Sequence, residues 1–294
     1  MGLVAFAPAK INLFLHVGAP GDDGYHPLCS LMAFADIGDQ LRIHEADSLS
    51  VRVHGPFAAD LAGEDDNLVL RAARALLAHT RGPQPPLCLS LEKTLPVAAG
   101  LGGGSSDAGA ALRLMRSALS VDIDDQALEA LAATLGADGA ACLWGRPVVA
   151  QGRGERLTPA PRLPSIEAVL VNPGVAVSTP GVYRALDDRQ AFGEVAPPPM
   201  PEAFESIEEF SAWLGMMRND LQAPAIALAP EIGDVVETLA GEPETLFARM
   251  SGSGATCFAI CASDIEADAL AERVASMQPI WWVKRCRLGG PWPD

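Results

Sequence analysis

Residues 96–111 have the sequence PVAAGLGGGSSDAGAA, in which four glycines occupy five positions and two serines and an aspartate follow. So few side chains let backbone N–H groups approach a ligand closely, and a helix that begins there adds its positive end. Both features favour a chain of phosphates, so we interpret the segment as a phosphate-binding loop. The glycines alone fit equally well a mobile turn in which Ser105 or Ser106 caps the following helix.

Two better-known phosphate loops do not match this segment. A Walker A loop requires a lysine after its last glycine, whereas Ser105 follows Gly104 here. The dinucleotide fingerprint requires a third glycine and a short strand-to-helix turn, which Ser105 and the spacer at 95–99 disrupt. Besides capping a helix, one hydroxyl of the pair Ser105 and Ser106 could be an oxygen ligand of phosphate-bound Mg²⁺.

The elements around the loop place it between a strand and a helix. Residues 87–91 alternate like a half-buried strand, and the apolar residues from Ala108 to Leu119 follow helical spacing. A segment rich in proline, glycine and charge at 152–164 separates two parts of the chain. Further strands are predicted at 4–17 (broken at Pro8), 28–37, 40–54, 168–171, 246–251, 256–261 and 281–287, and helices at 66–79, 125–135, 230–239 and 265–277.

The composition limits the classes of function. A formal charge of −16 makes nucleic acid a poor partner, because binding it requires clustered Lys and Arg. Charged residues interrupt every apolar run before it could span a membrane, and the first ten residues lack the basic start of a signal peptide. Six scattered cysteines without a CxxC pair are typical of reduced, buried thiols. The sequence therefore predicts a cytoplasmic protein without nucleic-acid or membrane partners; it gives no indication of oligomeric state.

The chain resembles the GHMP small-molecule kinases in six segments that match in order and spacing. The glycine loop alone identifies only the superfamily, whereas PAKINL and DGYH together point to one member within it. The likeness spans nearly the whole chain. The segments are PAKINLFLHV (8–17), DGYHPL (23–28), PVAAGLGGGSSDAGAAL (96–112), LGAD (135–138), NDLQAPAIALAPEI (219–232) and MSGSGATCFAI (250–260).

The resemblance implies a fold and a reaction. The fold is α+β, with a ribosomal-protein-S5-like, ATP-binding N-terminal domain at 1–156 and a ferredoxin-like substrate domain at 157–294. ATP and a small-molecule substrate would meet in the cleft between them. The reaction is transfer of the γ-phosphoryl group of ATP to the tertiary 2-hydroxyl of a cytidine-bearing methylerythritol, in the non-mevalonate route to isoprenoid precursors. The implied cofactors are ATP and Mg²⁺.

The resemblance also places Lys10 and Asp138 beside the acceptor hydroxyl. Phosphoryl transfer needs a carboxylate that can take the acceptor proton, and Asp138 supplies one. An ammonium from Lys10 would keep that carboxylate ionised and stabilise the developing alkoxide. Without the motif, such an aspartate is more often a turn or helix-end residue, and such a lysine a strand residue with a buried stem. The residues assigned to ATP are Asn67, Leu68, Pro96, Val97, Ala98, Ala99, Gly100, Leu101, Gly102, Gly103, Gly104, Ser105 and Ser106.

Four residues are assigned to the acceptor substrate by the same resemblance. Tyr25 and His26 would hold the cytosine, His26 by hydrogen bonds to the base edge, and Tyr183 would stack on the ring. Such stacking contributes on the order of 1–3 kcal/mol. Asn12, close to Lys10 in an otherwise apolar strand, is expected to contact the substrate. The SGSGA segment at 251–255 either brings N–H groups to the substrate's diphosphate or is a plain hairpin turn.

The chain departs from the family pattern in three places. Gly139-Ala140-Ala141-Cys142 follows LGAD where relatives carry Val-Pro and bulkier residues, Gly109 replaces a common alanine, and residues 21–23 lack an arginine. We expect glycine after Asp138 to loosen the backbone there.

Two other functions stay open. One is a GHMP kinase for mevalonate, homoserine or a sugar, which would leave DGYH and Tyr183 unexplained. The other is a non-catalytic nucleotide-binding regulator, against which Lys10, Asp138 and the serine pair argue.

Overall fold

The strands of the protein form a mixed sheet. The computed structural model describes residues 3–62, 67–80 and 85–293. Within these residues the strands are β1 (Val4–Val17), β2 (Leu28–Glu45), β3 (Ser50–His54), β4 (Leu87–Glu92), β5 (Val148–Gly152), β6 (Arg156–Pro159), β7 (Ile166–Asn172), β8 (Thr245–Met250), β9 (Cys257–Cys261) and β10 (Trp282–Gly289).

Helices flank this sheet in both halves of the chain. Those of the first half are α1 (Leu68–Leu77), α2 (Gly103–Ala118), α3 (Asp125–Ala133) and α4 (Gly139–Trp144). Those of the second half are α5 (Thr179–Arg189), α6 (Ile207–Gly215), α7 (Gln222–Leu228), α8 (Glu231–Gly241) and α9 (Asp264–Met277).

The last strand joins the two halves of the molecule. The sheet order is β3-β4-β2-β10-β7-β9-β8, with β1 and β5 also paired to β2 and β6 to β5. β10 pairs antiparallel with β7 along its length and, through Leu288 and Gly289, with β2. The predicted α+β architecture is confirmed. The boundary predicted between residues 156 and 157 falls at the start of β6 and stays a prediction.

β1 carries Lys10 and Asn12 through the interior, because every residue from Ala7 to Val17 is buried. The pairing register with β2 shifts between Pro8 and Lys10 and again between Asn12 and Phe14. Such irregularities re-aim side chains that would otherwise alternate strictly. The predicted break at Pro8 is wrong, because proline removes a single N–H donor and the strand continues past the register shift.

β2 is one strand where the sequence predicted two, at 28–37 and 40–54. Gly38 lies between the two predicted strands, and a Cβ at that position would lie 2.2 Å from the Ala7 carbonyl oxygen. The glycine therefore allows β1 to pass close to a continuous β2. The second predicted strand is divided, since β2 ends at Glu45 and β3 begins at Ser50.

Side-chain caps set the beginnings of several helices, but not that of α2. Asn67 caps α1 by accepting a hydrogen bond from the Leu70 N–H, and Ser178 caps α5 in the same way from Gly181. The N-cap of α2 is Gly102 in the left-handed conformation, without a side-chain hydrogen bond. Ser105 and Ser106 lie inside α2, so the interpretation of either as its cap is wrong. The predicted acidic start of α1 at Asp66 lies outside the described residues.

Two of the departures from the family pattern are explained by close helix packing. A Cβ on Gly109 of α2 would lie 3.0 Å from the Cys142 carbonyl oxygen of α4. A Cβ on Gly139 would lie 2.0 Å from the Ala132 carbonyl oxygen of α3. This buried glycine allows α4 to pack tightly beside Asp138, and the expected loosening of the backbone there stays a prediction.

Four helices, α4 to α7, were not predicted from the sequence. The segment at 172–183, interpreted as a loop, contains the start of α5, where Ser178 is the cap and Pro180 stands in the first turn. Among the described residues, no helix combines the length and the apolar character needed to cross a membrane. The cytoplasmic location stays a prediction.

Candidate active site

A cleft of about 1460 Å³ contains most of the residues singled out from the sequence. Its walls come from β1, the segment between β4 and α2, the segment before α4, the first turns of α5 and the turn between β8 and β9. Leu101 and Ser106 are buried and do not border the cleft. The other predicted residues line it: Asn67 and Leu68 on the part next to the start of α2, called here the phosphate-loop end, and Tyr25, His26 and Tyr183 on the part next to α5, called here the far end.

The phosphate loop, residues 94–102, is held against its neighbours by backbone contacts that require glycine. Gly100 has a φ of +75°, and a Cβ there would lie 2.4 Å from the Ser251 carbonyl oxygen. Gly102 has a φ of +61°, and its Cβ would lie 2.9 Å from Cε of Lys10. Only glycine combines this backbone conformation with such close approach.

Neighbouring strands hold the loop through its carbonyl groups. The Lys10 N–H donates to the Leu101 carbonyl at 2.8 Å, and the Thr256 N–H donates to the Ala99 carbonyl at 3.1 Å. These two bonds fix the loop without using its N–H groups. The N–H groups of residues 97–102 are used by neither bond, so they are suited to bind an anion at the start of α2.

Lys10 and Asp138, which the resemblance places together, form an ion pair on the wall of the cleft. The Lys10 Nζ lies 3.1 Å from Oδ2 of Asp138, whose side chain keeps 29% of its surface exposed, against 4% for Lys10. Asp138 immediately precedes α4. The pair therefore presents an accessible carboxylate with a buried ammonium behind it, next to the phosphate loop.

Asn12 positions Lys10. The Lys10 ammonium donates to Oδ1 of Asn12 at 2.6 Å, and Nδ2 of Asn12 donates to Oγ of Ser30 at 2.7 Å. Ser30 in turn donates to the Phe14 carbonyl at 2.6 Å. With its oxygen and one N–H committed in this chain, Asn12 fixes the ammonium, and its predicted contact with substrate stays a prediction.

Ser251 connects β1 to the phosphate loop. Its hydroxyl accepts from the Asn12 N–H at 3.1 Å and donates to the Gly100 carbonyl at 3.0 Å. The Ser251 N–H also donates to the Thr256 carbonyl, as in a hairpin connection. The SGSGA segment is thus a tight strand connection that packs against the phosphate loop, with Gly252 and Ser253 on the cleft. Its contact with a diphosphate stays a prediction.

A buried charge cluster lies beneath the phosphate loop. The Lys93 ammonium contacts Oδ2 of Asp39 at 2.5 Å and Oδ2 of Asp107 at 2.7 Å, and all three residues are buried. Burial acts to lower the pKa of Lys93, but the Asp107 and Asp39 carboxylates outweigh it and raise that pKa. Burial raises the pKa of the Asp107 carboxyl, and Lys93 opposes the rise. The sequence prediction did not include this cluster.

The serine pair divides into one residue on the cleft and one in the core. Ser105 borders the cleft, and its Oγ lies 3.6 Å from the position of a Cβ on Gly136, in the segment before α4. Ser106 is fully buried. Among the described residues, no three His, Cys, Asp or Glu side chains are grouped to hold a metal ion. The Ser105 hydroxyl is an oxygen donor of the kind that suits Mg²⁺, and its predicted contact with the metal stays a prediction.

His26 and Tyr183 lie together at the far end of the cleft, beside α5. Their ring centroids are 5.1 Å apart. Nδ1 of His26 lies 2.8 Å from the Gly18 carbonyl, which can only accept, so Nδ1 carries a proton; Nε2 lies 3.2 Å from Oδ1 of Asp187. A contact of His26 with a base edge must therefore use a group other than Nδ1. Burial, and secondarily the Asp138 carboxylate, raises the pKa of Tyr183 to about 12, so its phenol stays protonated.

Tyr25 is exposed, and Arg153 covers its ring. The Arg153 guanidinium lies 4.1 Å from the ring centroid of Tyr25 and forms an ion pair with Asp23. Arg153 comes from the turn between β5 and β6, so it supplies a guanidinium beside the DGYH segment, where residues 21–23 lack an arginine. This arrangement leaves Tyr25 at the mouth of the cleft, and its role in binding cytosine stays a prediction.

Asn67 and Leu68 stand at the phosphate-loop end. Oδ1 of Asn67 is committed to the cap of α1 at 3.0 Å from the Leu70 nitrogen. Leu68 packs on the start of α2, since its Cδ1 lies 3.2 Å from the position of a Cβ on Gly104. Both residues border the cleft, and their proximity to adenine or ribose stays a prediction.

Several residues that line the cleft were missed in the sequence. Thr179 in the first turn of α5 meets Ser253 at 2.7 Å between hydroxyl oxygens, and Arg184 and Asp187 follow on the same helix. Arg153 and Lys93 also border the cleft. Two of these residues could have been found from the sequence: Lys93, because it directly follows an apolar strand, and Arg153, because it lies between two glycines. Thr179 and Asp187 gave no signal, because α5 was not predicted.

Comparison with known proteins agrees with this geometry. The family models "GHMP kinases N terminal domain" and "GHMP kinases C terminal" match residues 67–146 and 200–279. A relative from Caulobacter sp. (strain K31), named 4-diphosphocytidyl-2-C-methyl-D-erythritol kinase, is 64% identical over 99% of this chain and 100% of its own length.

Solved structures show the same fold. A crystal structure of 4-(cytidine 5'-diphospho)-2C-methyl-D-erythritol kinase matches with a TM-score of 0.79 and 35% identity over 98% of this chain and 100% of that chain. Homoserine kinase from Cytophaga hutchinsonii matches with a TM-score of 0.70 at 18% identity, over 98% of this chain and 95% of that chain. The second likeness shows the fold alone. The two-domain architecture and the resemblance found in the sequence are confirmed, and the chain belongs to the GHMP kinases, a family of ATP-dependent small-molecule kinases.

Proposed function

We propose that this protein transfers the γ-phosphoryl group of ATP to the 2-hydroxyl of 4-diphosphocytidyl-2-C-methyl-D-erythritol, in the non-mevalonate route to isoprenoid precursors. Relatives at 50–64% identity over nearly their full lengths carry the name of that kinase. The observation that carries the proposal is the Lys10–Asp138 pair, which shares one cleft with the phosphate loop and with His26 and Tyr183.

The chemistry assigns one role to each member of the pair. The acceptor oxygen attacks the γ-phosphorus, the bond to the β–γ bridging oxygen breaks, and ADP leaves with that electron pair. Asp138 takes the proton of the acceptor hydroxyl, which its exposed carboxylate can reach. The Lys10 ammonium, fixed by Asn12, stabilises negative charge that develops on the acceptor oxygen.

The phosphate loop binds the triphosphate of ATP through its N–H groups and the start of α2. Mg²⁺ would be held mainly by the ATP phosphates, with Ser105 as the protein ligand, and when bound it neutralises charge on the phosphates. Ser105 is favoured over Ser106 because only Ser105 borders the cleft.

The far end of the cleft selects the acceptor. Tyr183 offers a half-buried, uncharged ring for stacking on cytosine, and Tyr25 and His26 approach the same space from the DGYH segment. Arg153 and Arg184 supply positive charge there, in a protein of net charge −16. This combination suits a substrate with a base at one end and a diphosphate in its middle.

Release of ADP, measured with coupled enzymes, tests the proposal. We expect turnover with 4-diphosphocytidyl-2-C-methyl-D-erythritol and none above background with mevalonate, homoserine or galactose. Asp138→Asn, purified in parallel, controls for contaminating kinases. Turnover with another acceptor alone would replace the proposed substrate, and ATP binding without turnover on any acceptor would favour a nucleotide-binding regulator.

A further inference from the structure

The buried cluster of Lys93, Asp39 and Asp107 takes no part in the mechanism above. Three charged side chains from β2, the residue after β4, and α2 meet with each exposing 2% of its surface or less. Burying charges costs free energy that ion pairing only partly offsets, and apolar residues of similar volume often stabilise a fold as well. A cluster retained in this position therefore calls for a role besides general stability.

The first half of that role concerns the start of the phosphate loop. Oδ1 of Asp39 accepts hydrogen bonds from the N–H groups of Thr94 and Leu95 at 2.5 and 2.9 Å. Oδ2 of the same carboxylate accepts from the Lys93 ammonium. Asp39 thereby orients the first two residues of the loop, and Lys93 orients Asp39.

The second half concerns the end of the loop. Lys93 also pairs with Asp107, in the second turn of α2, and the ammonium lies 3.0 Å from the position of a Cβ on Gly103. The beginning of α2 is therefore packed directly on the ammonium. One ammonium joins the two ends of a loop whose remaining length is glycine-rich and has few side chains of its own to fix it.

We propose that Lys93 is a positioning residue for ATP, which holds the two ends of the phosphate loop in the geometry that binds the triphosphate. The inference rests on the proposed function, because it takes ATP as the ligand of the loop. Lys93 acts through Asp39 and Asp107 on the loop backbone, and the pairing with Asp107 is the half that joins the loop to α2.

Substitutions at Asp107 distinguish a positioning role of its carboxylate from an effect of the carboxylate's charge alone. Asp107→Leu removes the partner on α2 and leaves Lys93 balanced by Asp39, so the interior keeps no unpaired charge. Asp107→Asn removes the same charge but keeps an oxygen that can accept from Lys93. If the carboxylate acted only through its charge, both variants would bind the anionic nucleotide more tightly. Positioning predicts weaker binding for Asp107→Leu alone.

The measurement is calorimetric titration with the magnesium complex of a non-hydrolysable ATP analogue. We expect the Kd to rise by about tenfold or more in Asp107→Leu and to stay within about threefold in Asp107→Asn. In turnover assays, the KM for ATP should rise in Asp107→Leu while that for the cytidine substrate stays within about twofold. Lys93→Met should weaken analogue binding further. That variant leaves the Asp39 and Asp107 carboxylates facing each other without a cation. If Lys93→Met does not fold, the double variant Lys93→Met/Asp107→Asn takes its place.

Leu89→Ala controls for a general loss of stability. Leu89 is fully buried in the same strand, β4, away from the loop, so its truncation lowers the melting temperature without touching the cluster. We expect analogue binding by Leu89→Ala within about twofold of wild type.

Unchanged or tighter binding by Asp107→Leu would overturn the proposal, as would equal weakening by Leu89→Ala. A wild-type protein that binds the analogue but does not phosphorylate the cytidine substrate would refute the proposed acceptor. Analogue binding by the Asp107 and Lys93 variants would still test the positioning role of Lys93. A wild-type protein that binds no nucleotide would overturn both.

Discussion

The two ends of the cleft are built in different ways. At the phosphate-loop end, backbone groups hold one another: carbonyls of Ala99 and Leu101 accept from neighbouring strands, and Gly100 fits only because it lacks a side chain. At the opposite end, the surface consists of side chains, with Tyr183 packed on His26 and Tyr25 covered by Arg153. The first end is suited to a ligand that all kinases of the family share, and the second to an acceptor that distinguishes one kinase from another.

The contrast between the two ends predicts which ligand a substitution at each end should affect. A substitution at the loop end should affect ATP and spare the acceptor, whereas a substitution at the side-chain end should do the reverse. Lys10 packs on Gly102 of the phosphate loop, and its partner Asp138 is close enough to Tyr183 to raise the pKa of that phenol. Loss of the pair should stop transfer while both ligands still bind.

The largest effect is expected at the catalytic pair. Asp138→Asn should lower kcat by about 10²–10⁴-fold, because an amide cannot take the acceptor proton. Lys10→Ala should cause a comparable loss. Calorimetric titration with an ATP analogue should show Kd values within a few-fold of wild type for Asp138→Asn, since the loop holds the nucleotide independently. A near-normal kcat in either variant would remove that residue from its assigned role.

A smaller but selective loss is expected from Gly100→Ala. Alanine at this position would have to adopt a φ of +75°, and its Cβ would lie 2.4 Å from the Ser251 carbonyl oxygen, so the loop must shift. We expect a stability loss of about 1–3 kcal/mol and a rise of about tenfold or more in the KM for ATP.

Gly215→Ala is the matched control for Gly100→Ala. Gly215 ends α6, and a Cβ there would meet nothing within 4 Å. It should leave both KM values unchanged and alter stability by no more than about 1 kcal/mol. Equal kinetic effects of the two substitutions would contradict a loop fixed by close backbone contact.

At the side-chain end, Tyr183→Ala should weaken the cytidine substrate selectively. Loss of about 1–3 kcal/mol of stacking corresponds to a rise of about 5–150-fold in its KM, with the KM for ATP nearly unchanged. Tyr183→Phe should restore binding, because stacking needs the ring. Because burial raises the pKa of Tyr183 to about 12, its phenol stays protonated at lower pH. Tyr183→Phe should therefore keep the wild-type dependence of kcat on pH below that value. Equal rises in both KM values for the alanine variant would identify Tyr183 as a packing residue.

A further expected effect, which does not involve either ligand, is the low reactivity of the thiols beneath the cleft. Burial raises the pKa of Cys142 to about 12, and its Sγ lies behind Gly102 and the catalytic pair. Burial likewise raises the pKa of Cys257, under the turn between β8 and β9. We expect the native protein to react with a disulfide reagent at pH 8 at least about a hundredfold more slowly than the unfolded chain. Rapid labelling of Cys142 would contradict the close packing of α4.

The loop end was predictable from the sequence, because its backbone contacts demand glycine at fixed, adjacent positions. Gly100 and Gly102 are visible in any reading of residues 96–111, and the strand and helix that flank them were both predicted. The catalytic pair came from the family resemblance, since Lys10 and Asp138 are far apart in the chain and neither residue type is unusual alone.

The remaining parts depend on contacts between distant segments. Asp39, Lys93 and Asp107 meet only because β2, β4 and α2 pack together, and their spacing forms no motif. Arg153 reaches Tyr25 through a turn between two unpredicted strands, and Asp187 reaches His26 from an unpredicted helix. Gly109 and Gly139 were interpreted as departures from the family pattern, whereas helix packing gives each a steric reason.

The most direct test of the account is phosphorus NMR of the product made from ATP and 4-diphosphocytidyl-2-C-methyl-D-erythritol. We expect a new phosphomonoester resonance on the polyol, with the diphosphate resonances of the acceptor retained and one ADP formed for each monoester. Inorganic phosphate without a monoester, or loss of the acceptor's diphosphate, would contradict it.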